Sequence, residues 1–282
     1  MRASDAILLS ATLLAGAAGA GEAPAPAAPE RVVSINLCTD QLAMLLAAPG
    51  QLVSVSYLAR DPRSSAMAEA AEAWPVNRSR AEEIYLLDPD LVLGGTWSTP
   101  GTVSMLRRLG ARVELLPPAE SLADIPAQIR EVGRLLGREA AAEALVAEVE
   151  ARLAALPPPP EAPLRLALYG ANGATSGRGG LSDEIIARAG FANVAADLEL
   201  PRTGRLALER LVLADPDVVV TSARFPGASE AEAILDHPAL SALTGEIAAD
   251  AVTDADWVCG LPQTVDAVER MAALRLRLES GR

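Results

Sequence analysis

The feature that most constrains this chain is a repeat. Glu82-Glu-Ile-Tyr-Leu-Leu-Asp-Pro-Asp-Leu-Val-Leu93 matches Glu209-Arg-Leu-Val-Leu-Ala-Asp-Pro-Asp-Val-Val-Val220. Each copy opens on Glu, keeps an apolar helical pattern, turns at Asp-Pro-Asp and ends in a short apolar run. Pro89 and Pro216 push the preceding residue out of the α region, so a helix should stop there. Leu91–Leu93 and Val218–Val220 are apolar at every position, as parallel strands covered on both faces are. Upstream, Arg31-Val-Val-Ser-Ile35 and Arg165-Leu-Ala-Leu-Tyr169 read as matching first strands. Each leads through a polar turn into a helix, with Thr39/Asp40 and Ser182/Asp183 as the expected N-caps. The chain therefore reads as α/β: two Rossmann-like lobes with parallel sheets, residues 30–120 and 157–282.

Residues 121–156 between the lobes read as helical. Asp124 and Pro126 suit a helix start, and Gly137 sits where a C-cap glycine belongs. From Glu139 to Leu156, the residues Ala142, Leu145, Val146, Val149, Leu153 and Leu156 keep one apolar face. Such a helix spans about 27 Å, enough to bridge the lobes as a strut. Pro157–Pro160 then ends it.

The N-terminus places the chain in a compartment. Residues 1–20 have a short apolar run, too short to span a bilayer, and Ala18-Gly-Ala20 as a small-residue cleavage site, which together read as a signal peptide. Residues 21–29 read as a Pro/Ala-rich tether. No later stretch is long and apolar enough for a membrane helix, so the mature chain is expected to be soluble and exported. Cys38 and Cys259 would then meet an oxidising environment, where a disulfide is the first expectation. Two independent thiols, or soft ligation of a metal complex, are the alternatives.

Composition removes several chemistries. All 24 basic residues are Arg, and His237 is the sole histidine. Without Lys there is no P-loop lysine and no Schiff base. One His cannot build a multi-histidine zinc or manganese site, so neither a resident metal nor a cofactor is expected. A formal charge of -13 and no basic cluster argue against a nucleic-acid partner. His237 would have to serve as the base of any exported α/β hydrolase working in the same cleft, the rival reading, and no G-x-S-x-G elbow accompanies it.

Ligands of parallel α/β sheets bind outside the carboxyl ends of the strands. Four aromatic residues fall at such ends: Tyr57, Trp97, Tyr169 and Trp257, the last after Ala251–Thr253. Together they suggest aromatic walls for a large, flat or apolar ligand. Arg60, Arg178, Arg202 and Arg205 lie in the same loops and suit carboxylate or phosphate groups. The loop Gly170–Gly180 matches neither nucleotide-binding glycine pattern, and its glycines suggest close backbone approach to something bulky.

The signal peptide, two α/β lobes, bridging helix and doubled Glu…Asp-Pro-Asp motif resemble the helical-backbone, class III, periplasmic binding proteins that serve ABC importers of ferric siderophores, haem and cobalamin. The resemblance covers about residues 30–280. It implies a monomeric receptor that captures a metal chelate or corrinoid between its lobes and delivers it to an ABC permease, with no enzymatic activity. Val53–Tyr57 with Asp61-Pro62, Trp97, Thr175-Ser-Gly177 and Asp256-Trp257 look like ligand-facing segments of the family's cobalamin-binding branch. Glu82 and Glu209 match the acidic residues through which members dock on the permease. The resemblance also puts Cys38 and Cys259 in the cleft, facing each other from opposite lobes. Pro201–Arg205 and the positions of the cysteines depart from the cobalamin branch, which leaves siderophore, haem and corrinoid open. Tyr57 and Tyr169 are then candidates for ligating haem iron.

Overall fold

The computed structural model describes residues 27–221, 224, 227, 229–243, 246–249 and 254–281. The signal peptide, most of the tether and the Ala251–Thr253 segment lie outside the described residues. The first lobe runs β1 (Val32–Ser34), α1 (Leu37–Leu46), β2 (Leu52–Ser56), β3 (Val76–Asn77), α2 (Ala81–Tyr85), β4 (Leu91–Gly95), α3 (Pro100–Arg108) and β5 (Val113–Leu116). These strands form a parallel sheet of order β3-β2-β1-β4-β5. Two helices follow, α4 (Asp124–Leu136) and α5 (Glu139–Ala155).

The second lobe runs β6 (Leu164–Tyr169), β7 (Ala174–Thr175), α6 (Leu181–Arg188), β8 (Phe191–Asn193), α7 (Val194–Asp197), β9 (Gly204–Arg205), α8 (Leu208–Ala214), β10 (Val218–Thr221), α9 (Pro238–Ser241), β11 (Glu246–Ala249), α10 (Asp254–Trp257) and α11 (Pro262–Ser280). Its parallel sheet has the order β11-β10-β6-β8, and β7 pairs β9 in a separate antiparallel ribbon. In both lobes the first strand sits beside the strand that closes the repeat: Val32–Ser34 pair with Leu91–Leu93, and Leu166–Leu168 pair with Val218–Val220.

Both sheets are covered on two sides. Val32, Leu91 and Leu93 face α1, α4 and α5, while Val33 and Val92 face α2 and α3. In the second lobe Leu166, Leu168, Val218 and Val220 pack with α6 and α11; Ala167, Tyr169 and Val219 face α8. This burial explains the uninterrupted apolar runs.

The Asp-Pro-Asp turn has a structural job that both copies perform. The first aspartate, Asp88 or Asp215, takes a left-handed conformation with φ of 46° or 45°. The second, Asp90 or Asp217, accepts a hydrogen bond from the backbone N–H of Arg31 or Arg165 at the start of the first strand. That arginine in turn donates to carbonyls ending the preceding helix: Leu87 and Asp88 from Arg31, Ala214 from Arg165. Carbonyls that have no partner within a helix are thus satisfied from the neighbouring strand.

Two caps differ from expectation. The N-cap of α1 is Asn36, whose side-chain oxygen accepts from the N–H groups of Cys38 and Thr39. Thr39 and Asp40 instead point inward, Thr39 to the Ser34 hydroxyl and Asp40 to Ser56. The N-cap of α6 is Gly180, and Asp183 accepts from the Gly179 N–H and the Asn193 amide.

The lobes are joined by two helices. Ala142, Val146 and Val149 seat α5 in the first-lobe core. Its far end belongs to the second lobe, where Arg152 pairs with Asp266 and Glu269 of α11 and Arg188 of α6 bonds the Leu153 carbonyl. The α11 helix spans the same divide, with its N-cap Leu261 and Val265 in the first core and Ala267, Val268 and Met271 in the second. A disulfide between Cys38 and Cys259, with Cα atoms 5.3 Å apart, pins the entry of α11 to α1; Cys259 is buried in the first core, so the two cysteines meet there and do not face each other from opposite lobes. Among the described residues, no helix is long and apolar enough to cross a membrane.

Candidate functional site

In an open parallel sheet the crevice for ligand lies where the strand order reverses, at the carboxyl ends. In the first lobe that reversal falls between β1 and β4, and in the second between β6 and β10. Two cavities among the described residues lie there. One of about 160 Å³ is lined by Asn36 and Cys38 after β1, Gly95 and Trp97 after β4, and Val258. One of about 320 Å³ is lined by Leu168 and Tyr169 at the end of β6, Gly170 and Ala171 beyond it, Val220 and Thr221 of β10, and Trp257. Cys38 of the Cys38–Cys259 bridge lines the first cavity, and the adjacent residues Trp257 and Val258 line the second and the first. Trp257 and Val258 thus connect the two cavities along the chain.

Each aromatic is delivered by a local device. Ser56 is fixed by the buried Asp40 carboxylate, which accepts from its N–H and its hydroxyl, and the chain then turns to leave Tyr57 55% exposed. After β4 the Gly95 N–H donates to the Ser98 hydroxyl, and this tight turn leaves Trp97 85% exposed. An indole that open to solvent has no packing role in the lobe that carries it. In the second lobe Tyr169 is only 1% exposed, and burial, reinforced by the charge of Glu209, raises its pKa. Trp257 is half-buried, one side on the second-lobe core and the other on the cavity. The same cavity contains Thr175, whose buried hydroxyl makes no hydrogen bond among the described residues. An unsatisfied buried hydroxyl carries a cost that a ligand oxygen or nitrogen would remove.

The arginines divide differently from expectation. Arg60 donates to the carbonyls of Ala71, Glu72 and Trp74 and so folds residues 57–74 onto the first lobe. Arg178 donates to the Ala196 carbonyl. Arg202 bonds the Gly179 carbonyl and pairs with Glu120 at 2.5 Å. Arg205 is exposed on the β7–β9 ribbon. None of these four lines the cavities above. Sequence reasoning missed Arg78 and Arg80, which with Tyr57 line a cavity of about 510 Å³ on the first lobe. Neither guanidinium makes a hydrogen bond or ion pair among the described residues, so both can meet an anionic group. The signal was present in Asn77-Arg-Ser-Arg80, but it depended on recognising the two-residue β3.

Within the glycine-rich loop, Gly170, Ala171, Ala174, Thr175 and Ser176 line the second-lobe cavity, while Gly177 packs on its own chain. A Cβ at Gly177 would lie 2.1 Å from the Leu200 carbonyl oxygen. His237 is the exposed N-cap of α9, its Nδ1 accepting from the Ala239 N–H, so it is engaged as a structural cap. Among the described residues, no three His, Cys, Asp or Glu side chains are grouped to hold a metal ion. Glu82 and Glu209 are exposed in the first turns of α2 and α8, at equivalent places in the two lobes.

A family model described as periplasmic binding protein matches residues 32–245. A cobalamin-binding protein from Halobacterium salinarum is 32% identical over 198 residues, which cover 68% of this chain and 54% of that protein. The chain thus spans about half the length of the curated relatives it matches. A periplasmic haem-binding protein from Roseiflexus sp. RS-1 in apo form superposes with a TM-score of 0.69 at 26% identity, over 89% of this chain and 98% of the other. A protein of an ABC-type Fe3+-hydroxamate transport system from Saccharomonospora viridis gives 0.63 at 25% identity, over 87% and 93%. The two-lobed parallel α/β fold and the family match agree: this chain belongs to the periplasmic binding protein family.

Proposed function

We propose that the chain is an exported receptor that captures an iron chelate, either a siderophore complex or haem, or a corrinoid between its lobes and hands it to an ABC permease. The observation that carries this reading is the pair of cavities at the two switch points. Each holds a tryptophan, Trp97 or Trp257, and Cys38 of the Cys38–Cys259 bridge lines the first. Flat or bulky ligands with apolar faces suit such walls. The relatives named above bind or transport such ligands, which supports the same ligand class here. Arg78 and Arg80 would meet the carboxylates or phosphate that these ligands bear, and the ligand would bring its own metal. Glu82 and Glu209 would contact cationic groups on the permease, one from each lobe.

A thermal-shift screen of the full chain with ferric hydroxamates, ferric catecholates, hemin and cyanocobalamin tests the proposal. At a ligand concentration a hundredfold above Kd, linkage gives about 2.7 kcal/mol of added stability. One of the four classes is expected to raise Tm with saturable dose dependence. No shift with any of them would overturn the reading.

A further inference from the structure

Large apolar side chains are exposed at few places among the described residues, and two of those places are equivalent. Leu86 is 82% exposed and Leu213 is 85% exposed. Their neighbours Tyr85 and Val212 are exposed as well. In the repeat, Tyr85 aligns with Val212 and Leu86 with Leu213. Each leucine lies four residues after an acidic residue, Leu86 after Glu82 and Leu213 after Glu209. A spacing of four puts the acid and the leucine on one face of a helix. Glu82 and Glu209 open α2 and α8, and Leu86 closes α2 in helical conformation. Each lobe therefore presents the same two-part feature, a carboxylate followed one turn later by an apolar knob.

Nothing inside the lobes explains the knobs. The same helices bury Ile84 and Leu211 to fill their cores, so packing is already served. An exposed leucine alone is ordinary; the same leucine, beside the same acid, at the same site of both lobes is a patterned surface. We infer that Glu82 with Leu86, and Glu209 with Leu213, are two copies of one docking element. The partner that fits them carries two copies of one complementary site, each an apolar socket beside a cationic side chain, related by a two-fold axis. This inference rests on the proposed receptor role, in which that partner is the permease pair in the membrane. It adds that docking is apolar as well as ionic, so raising salt should weaken docking without abolishing it.

Two experiments test it. First, Leu86→Asn with Leu213→Asn is compared with the unaltered chain for ligand affinity, by tryptophan fluorescence, and for cellular uptake of the ligand found in the screen. Both leucines are exposed, so folding should be untouched. Affinity should be unchanged, while the receptor concentration giving half-maximal uptake should rise about tenfold or more, the low end of what burying even one of the two leucine side chains contributes. Unchanged uptake, with Glu82→Arg and Glu209→Arg still abolishing it, would overturn the apolar half of the element. Second, Leu86→p-benzoylphenylalanine and Leu213→p-benzoylphenylalanine are photolysed in cells, and the linked peptides are sequenced. The two sites should reach the same peptide of the same membrane polypeptide. Two different peptides, or another copy of this chain, would overturn the inference. Failure of every ligand to bind would instead overturn the receptor reading, and the crosslinking result would stand apart from it.

Discussion

The two lobes are built from one repeat, and they agree at one edge of their sheets and differ at the other. At the amino edge, Arg31 with Asp90 and Arg165 with Asp217 make the same contacts: aspartate to the backbone N–H, arginine to the carbonyls ending the preceding helix. At the carboxyl edge little is shared. The first lobe rests on a buried polar layer of Ser34, Thr39, Asp40, Ser56 and Asn77, and leaves Tyr57, Trp97, Arg78 and Arg80 exposed above it. The second lobe buries Tyr169, half-buries Trp257 and adds the β7–β9 ribbon. The edge that holds the repeat together kept its chemistry, and the edge that faces the cleft changed. Such a division is expected where two lobes touch different faces of one ligand.

The covalent tie from α1 to α11, the helix that spans both lobes, should give the largest effect. Cys38→Ser or Cys259→Ser opens a bridge spanning 221 residues of sequence separation, and the loss of stability for a loop that long is about 5 kcal/mol in the chain-entropy account. Urea unfolding would measure it, and thiol titration of the unaltered chain under denaturing, non-reducing conditions should find no free thiol. A next, smaller effect belongs to the first lobe alone. Burial lifts the Asp40 carboxyl from 3.8 to about 6 against the hydrogen bonds from Ser34 and Ser56. The folded chain then holds that proton where the unfolded chain releases it, so this group's contribution to stability falls as pH rises from about 4 to about 6 and stays low above. Asp40→Asn should flatten that part of the stability–pH curve, and an unchanged slope would contradict the burial argument. The smallest effects test the shared edge. Arg31→Ala and Arg165→Ala should each cost about 1 kcal/mol, the usual net worth of such hydrogen bonds. Equal losses would support the likeness of the two amino edges, and a loss at one site only would break it.

Much of this fold was legible in the sequence because it is local. The Asp-Pro-Asp turns, the apolar strand runs and the face of α5 follow from short-range rules, and Gly137 does end α4 in left-handed conformation, at φ 67°. The caps were misread for a tertiary reason. Thr39 and Asp40 are good capping residues, but Ser34 and Ser56 on neighbouring strands engage them, and no local pattern shows that. The places of Tyr57, Trp97 and Tyr169 at strand ends were legible through sheet topology, while the strand expected before Trp257 lies outside the described residues. The arginines were not, because an arginine in a loop looks the same whether it binds its own backbone, as Arg60 does, or stands open, as Arg78 and Arg80 do. The two-residue strands β3, β7 and β9 carry too little pattern to be read.

The central claim is that one ligand touches both lobes. The direct measurement is the dissociation constant of the ligand found in the screen, for the unaltered chain, Trp97→Ala and Trp257→Ala. Trp97 is open to solvent, so its removal should leave stability within about 0.5 kcal/mol. Each variant is expected to bind about tenfold more weakly, the order of a lost aromatic contact with its buried area. Weaker binding for one variant with no change for the other would place the ligand on a single lobe and contradict the shared cleft.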